Sequence, residues 1–144
     1  MKLKSAVIIF LFTSLFLVNC VENKENEGHQ ITAHWELKNV SGGFAGIDLE
    51  YAAQDVILEF YQDNTVLIHN NTLPNTEQQS FSGFVSGTFS YQIKTENSVE
   101  VLYINNIKQG EITFTDLTLI VNDNLAADGF LKTFEKTIFI CGTP

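Results

Sequence analysis

Arginine is missing from the whole chain: all eight basic residues are lysine, set against seventeen acids. Lys2 and Lys4 lie ahead of Cys20 and every acid lies after it, so the remainder carries six lysines against seventeen acids, a net charge of minus 11. Such a chain lacks the cationic face that a phosphate backbone requires, so nucleic acid is not an expected partner. The same acidity argues against flat adsorption on anionic lipid. Catalytic signatures are also missing. There is no HExxH, no phosphate loop and no Gly-x-Ser-x-Gly elbow, and His29, His34 and His69 have no metal-ligand spacing. The run Asn122, Asp123, Asn124 and Asp128 suggests calcium, but Ala126 stands where an EF-hand needs an oxygen ligand, so an acidic turn is the better reading. No catalytic residue, metal ligand or cofactor is therefore expected. No long amphipathic helix appears after the first twenty residues.

The chain has one long apolar run, residues 6–18, behind the positive start of Lys2 and Lys4. Its 13 residues suit a signal h-region. A membrane-spanning helix wants roughly 20, so that is the weaker alternative. No small-x-small cleavage site precedes Asn19. Leu17, Val18, Asn19 and Cys20 instead resemble the lipobox of bacterial lipoproteins, with Asn19 where that pattern usually has Gly, Ala or Ser. The resemblance implies that Cys20 becomes the lipid-bearing first residue of the mature protein. Its partner is then the membrane, and its place the outer-membrane side of a bacterial envelope. Two or more acyl chains hold firmly, at about 0.8 kcal/mol per buried methylene. With Cys20 in a thioether, Cys141 has no cysteine to pair with and is expected as a packing residue in the short apolar ending Ile138, Phe139, Ile140.

Residues 1–19 thus read as a lipoprotein signal peptide and 20–31 as a flexible acidic tether, leaving a domain over 32–140. Glu22, Glu25 and Glu27 alternate with Asn23, Lys24 and Asn26, with almost nothing apolar between them. Ten such residues reach roughly 35 Å when stretched, enough to clear lipid headgroups. The acids after the cysteine are similar to surface-export signals of some Gram-negative lipoproteins. A generic linker is the equal alternative.

From Thr32 onward the apolar residues fall at period two between Gly, Asn and Asp breaks, the pattern of half-buried antiparallel strands. Trp35 and Leu37 share a face, as do Val56, Leu58 and Phe60, then Phe89, Tyr91 and Ile93. Turns are expected at Asp63–Asn64, at 96–98 and at Asn105–Asn106, with a polar loop over 71–79 and further strands at 99–104, 111–115, 117–121 and 130–135. Connections this short rule out parallel crossovers. An all-β antiparallel meander of about eight strands, closed into a barrel to remove its edges, is the expected fold. A sandwich is the alternative.

Several pieces of this stretch resemble small bacterial lipocalin-like lipoproteins: His34 to Leu37, Ser41 to Gly46, Gly87 to Tyr91, and Asp128 to Phe130. Trp35 matches the first-strand tryptophan, although Ala33 stands where the classical pattern has glycine. A META-type lipoprotein domain is a second, lower-ranked resemblance. The lipocalin-like resemblance implies a β-barrel able to take a small hydrophobic ligand. Candidate lining residues are Trp35, Phe44, Phe60, Phe89, Tyr91, Phe114, Phe130 and Lys132, the last on the inward parity of Phe130 and Phe134. Lys132 would anchor a polar group or, alternatively, snorkel to the rim. The glycine-rich corner around Phe44 is either a gate at the mouth or a tight turn with Phe44 capping the core. An eight-stranded barrel can also fill with its own side chains. The function expected is therefore ligand binding at the envelope or, with a filled barrel, docking onto a protein partner in an outer-membrane assembly.

Overall fold

A computed structural model describes residues 31–137. Residues 1–30, which hold the expected signal peptide, Cys20 and all of the expected tether but Ile31, lie outside the described residues, as does Cys141. Nine strands form one antiparallel sheet: β1 (His34–Gly42), β2 (Ile47–Glu50), β3 (Val56–Phe60), β4 (Thr65–Asn70), β5 (Gly87–Glu96), β6 (Val99–Ile104), β7 (Ile107–Phe114), β8 (Thr118–Asp123) and β9 (Phe130–Lys136). A helix, α1 (Glu77–Ser82), lies between β4 and β5, and a 3-10 turn, Leu125–Ala127, lies between β8 and β9.

The last strand closes the sheet. β9 pairs with β8 on one edge and with β1 on the other, so β1 and β3 to β9 make an eight-stranded barrel. Closure decides for a barrel over a sandwich. β2 is the extra strand, and it sits on the same edge of β1 as β3. Asn39 faces Glu50 and Glu36 faces Ile57, so three steps along β1 match seven along its neighbour. Four residues, 52–55, are looped out, held by the Ala52 amide donating to Asp55 Oδ2 at 2.9 Å.

Asparagine sets two hairpins. Asn97 and Ser98, then Asn105 and Asn106, hold positive φ in two-residue turns between paired ends Glu96–Val99 and Ile104–Ile107. That backbone matches the right-handed twist of the strands, and asparagine tolerates it well. Two bulges adjust the wall. Register slips at Lys38, so β1 buries Trp35 and Leu37 before the slip and Val40 after it. A second slip on β7 places Gly110 against β8, where a Cβ would come within 2.5 Å of the Asn122 carbonyl oxygen. Only glycine permits that approach.

The inward faces form one apolar core. Trp35, Leu37, Leu58, Leu119, Val121 and Phe134 have no exposed surface, and Phe60, Ile68 and Tyr91 have almost none. Phe89, Ile93, Phe114 and Phe130 pack against them from partly buried positions. Strand direction gives the barrel two ends. The chain enters at Ile31 and leaves past Thr137 at the entry end, which also carries the β3–β4, β5–β6 and β7–β8 turns. The other end carries the β1–β2 corner, residues 51–55, α1, the β6–β7 turn and the β8–β9 loop.

Candidate functional site

The entry end is plugged. Ile31 is fully buried, and the Trp35 indole N–H donates to its carbonyl at 2.8 Å. Phe60 and Tyr91 meet edge to face at 4.9 Å, and the Tyr91 hydroxyl donates to the Tyr61 carbonyl at 3.2 Å. Burial is the main cause holding the Tyr91 hydroxyl pKa above its ordinary value. Three expected lining residues, Trp35, Phe60 and Tyr91, are thus spent on closing the barrel. Outside this plug, β4 pairs with β5 only as far as Ser90, while β5 runs on to Glu96 against β6. The parting leaves an open surface groove of about 420 Å³ between Asp63–Asn64 and Gln92–Lys94.

The other end is covered by α1, inside and just beyond the stretch read from sequence as a polar loop. Thr76 caps the helix by accepting from the Gln79 amide at 3.3 Å, and the Gln79 side chain takes the Asn75 amide at 2.8 Å. This Thr-Glu-Gln-Gln run is close to a capping box. It was the signal available in the sequence for the helix. Gly83, at φ 71°, ends the helix in the left-handed conformation. Two polar clips tie the segment down. The Tyr51 hydroxyl donates to the Gln78 carbonyl at 2.8 Å, and the Asn70 amide donates to Ser82 Oγ at 3.0 Å and to the Phe84 carbonyl at 2.8 Å. Burial, with the Asp55 carboxylate adding to it, pushes the Tyr51 hydroxyl up to about 12.

Under this cover, β9 points Phe130, Lys132 and Phe134 inward. Phe81 reaches Phe130 at 5.5 Å between ring centroids, and Phe84 reaches Phe134 at 6.0 Å. Phe81 and Phe84 were not singled out from the sequence, because they follow a run with no strand-like alternation. Lys132 is only 8 % exposed, and its Nζ lies 5.0 Å from the Phe84 ring centroid. Among the described residues its ammonium has no hydrogen-bond or salt-bridge partner. Burial pulls its pKa below the ordinary lysine value, and the Asp123 carboxylate works weakly the other way.

The remaining expected residues scatter. Phe89 and Phe114 line the wall rather than this end. Phe44 is 94 % exposed. The corner itself is tight, with the Gly46 amide donating to the Gly43 carbonyl at 3.0 Å, but Phe44 points out and caps nothing in the core. On the outer wall, Glu59 Oε1 lies 3.4 Å from His34 Nδ1 and 3.7 Å from His69 Nε2. Among the described residues no three metal-ligating side chains come together. No family model, curated protein or solved structure matches this chain.

Proposed function

We propose that this chain is a lipid-anchored protein of the bacterial envelope, tethered through Cys20, whose filled barrel is a rigid scaffold for docking a protein partner at the α1 end. One observation carries this reading. Eight large apolar residues are exposed among the described residues, and five of them sit at the α1 end: Phe44, Leu73, Val85 and Leu125 in its connections and Ile107 at the start of β7. Phe44, Leu73 and Val85 are more than 70 % exposed. Apolar residues gathered this way are costly in water and suit a protein interface with aromatic anchors. The entry end, where the tether joins, carries only Tyr61, Val99 and Leu117 of that set. The α1 end therefore faces away from the point of attachment. The packed cluster of inward side chains supports the scaffold reading, since volume held by side chains cannot hold cargo.

A small-ligand reading is favoured by a different observation, the buried Lys132 side chain, whose ammonium has no ion pair among the described residues. It is confined to the region beneath α1, because the lower barrel is occupied.

A photoreactive phenylalanine analogue at position 44 or 85 in intact cells should capture a discrete protein, and one at position 117 should not. Loss of any adduct at 44 and 85, or equal capture at 117, would refute the docking end. In the same cells labelled fatty acid should join the wild type and not Cys20→Ala. Label on neither would remove the anchor.

A further inference from the structure

We propose that Lys132 is the anchor of a binding site for a small organic monocarboxylate with a short apolar or aromatic body, admitted beneath α1. This rests on the small-ligand reading above and names its ligand class, on residues separate from the docking surface. The Lys132 side chain is nine-tenths buried, and among the described residues its ammonium has no ion pair and no hydrogen bond, an incomplete arrangement for a charge so largely removed from water. Among the described residues its compensation is the cation–π contact with Phe84 and the field of the Asp123 carboxylate, which does not reach it as an ion pair. A methionine would fill the same space without the penalty.

The surroundings set the chemistry of what would complete the site. One lysine supplies one positive charge, and Asp123 close by works against a second negative charge on the ligand. That selects a monoanion over phosphate. The walls are aromatic, with Phe130 on the outer side, Phe81 packed on it and Phe84 over the amine. Such walls take up an apolar or aromatic ligand body. Size follows from what lies deeper. Phe134 has no exposed surface and is held by Phe84, so nothing extends down the barrel. A long acyl chain has no room there. The body must lie toward Phe130 and the rim.

Access comes from the cover. α1 is six residues long and secured by the Thr76 cap, the Tyr51 clip and the Asn70 clip. A single short helix outside the barrel's ladder is the kind of element that opens locally before the rest. Gly83 leaves the amine uncovered on one side, since a Cβ there would stand 3.0 Å from Lys132 Nζ.

The test uses the full chain purified in detergent with lysine labelled with carbon-13 at the ε position, followed by NMR. Benzoate and hexanoate are the probes, benzyl alcohol and hexanol their neutral counterparts, and inorganic phosphate the competing anion. The expected result is a saturable shift of the Lys132 signal with at least one carboxylate. Its neutral counterpart and phosphate should each bind at least tenfold more weakly. Lys132→Met should lose the carboxylate at least tenfold while unfolding no earlier than wild type. No saturable shift with either carboxylate would overturn the proposal, as would equal binding of the alcohols or of phosphate. Should Lys132→Met fail to fold, the wild-type titrations still decide. Crosslinking at position 44 is read separately, so failure of docking and failure of the carboxylate site are distinguishable.

Discussion

The two ends of this barrel are closed by different means. At the entry end, a backbone carbonyl takes the Trp35 indole proton and two rings meet edge to face, so the polar atoms are satisfied and the surfaces covered. At the other end a six-residue helix covers a ring of phenylalanines and a lysine without a counter-ion, and the loops around it leave apolar side chains in water. A chain selected for stability alone would finish both ends like the first. The unfinished end is where function is most economically placed, because exposed apolar surface and an unpaired charge are costs that a working site explains.

The largest effect should come from breaking the finished end. Trp35→Ala is expected to cost about 3–5 kcal/mol, the range for removing a fully buried aromatic. Phe81→Ala at the other end should cost only about 1–2 kcal/mol, since the ring is part-exposed and opens with α1. Urea unfolding of the two variants gives the contrast directly.

Next is a gain. Lys132→Met should raise stability by about 1–3 kcal/mol, since exchanging an ill-compensated buried charge for an apolar side chain is often stabilising. Its sign with pH is also fixed. The folded pKa of Lys132 lies below the unfolded value of about 10.4, so the unfolded chain holds more protons between the two values and wild-type stability rises with pH across that window. Lys132→Met should flatten that rise.

Tyr51 works the other way and at higher pH. Its folded pKa, about 12, exceeds the unfolded value of about 10, so its contribution is complete below about pH 10 and is lost as pH climbs toward 12. Tyr51→Phe should cost about 1 kcal/mol at neutral pH, the typical worth of one hydrogen bond, and should blunt the alkaline loss. Circular dichroism melts from pH 9 to 12 would separate the two residues. The smallest effect is expected at the exposed corner. Phe44→Ser should change stability by less than about 0.5 kcal/mol while abolishing partner capture, a split that no core residue could produce.

Period two made most of the strands legible, because a half-buried strand must alternate to fold at all. Asn97–Ser98 and Asn105–Asn106 gave two hairpins, and the parity of Phe130, Lys132 and Phe134 put the lysine inside. What stayed hidden was non-local. Closure depends on β1 meeting β9, residues a hundred positions apart, and nothing local records it. The bulges at Lys38 and on β7 shift parity without changing composition, which is why β7 begins at Ile107, four residues before the alternation suggested. β2 is four residues of mixed polarity beyond a glycine corner, too short to show a period. α1 was lost among amides, although Thr76 and Gln79 held its start. Phe44 was misplaced for a simple reason: a phenylalanine between glycines is as easily left outside as buried, and only the direction of the turn decides.

Native-state amide hydrogen exchange on the full chain tests the contrast between the ends most directly. The account predicts that amides of Trp35, Leu37 and Leu58 exchange only with global unfolding, whereas those of Ser80 to Gly83 exchange through a separate local opening at least a hundredfold sooner and insensitive to denaturant. If α1 exchanged together with β1, as one unit with one denaturant dependence, the α1 end would be as finished as its opposite, and the account would be wrong.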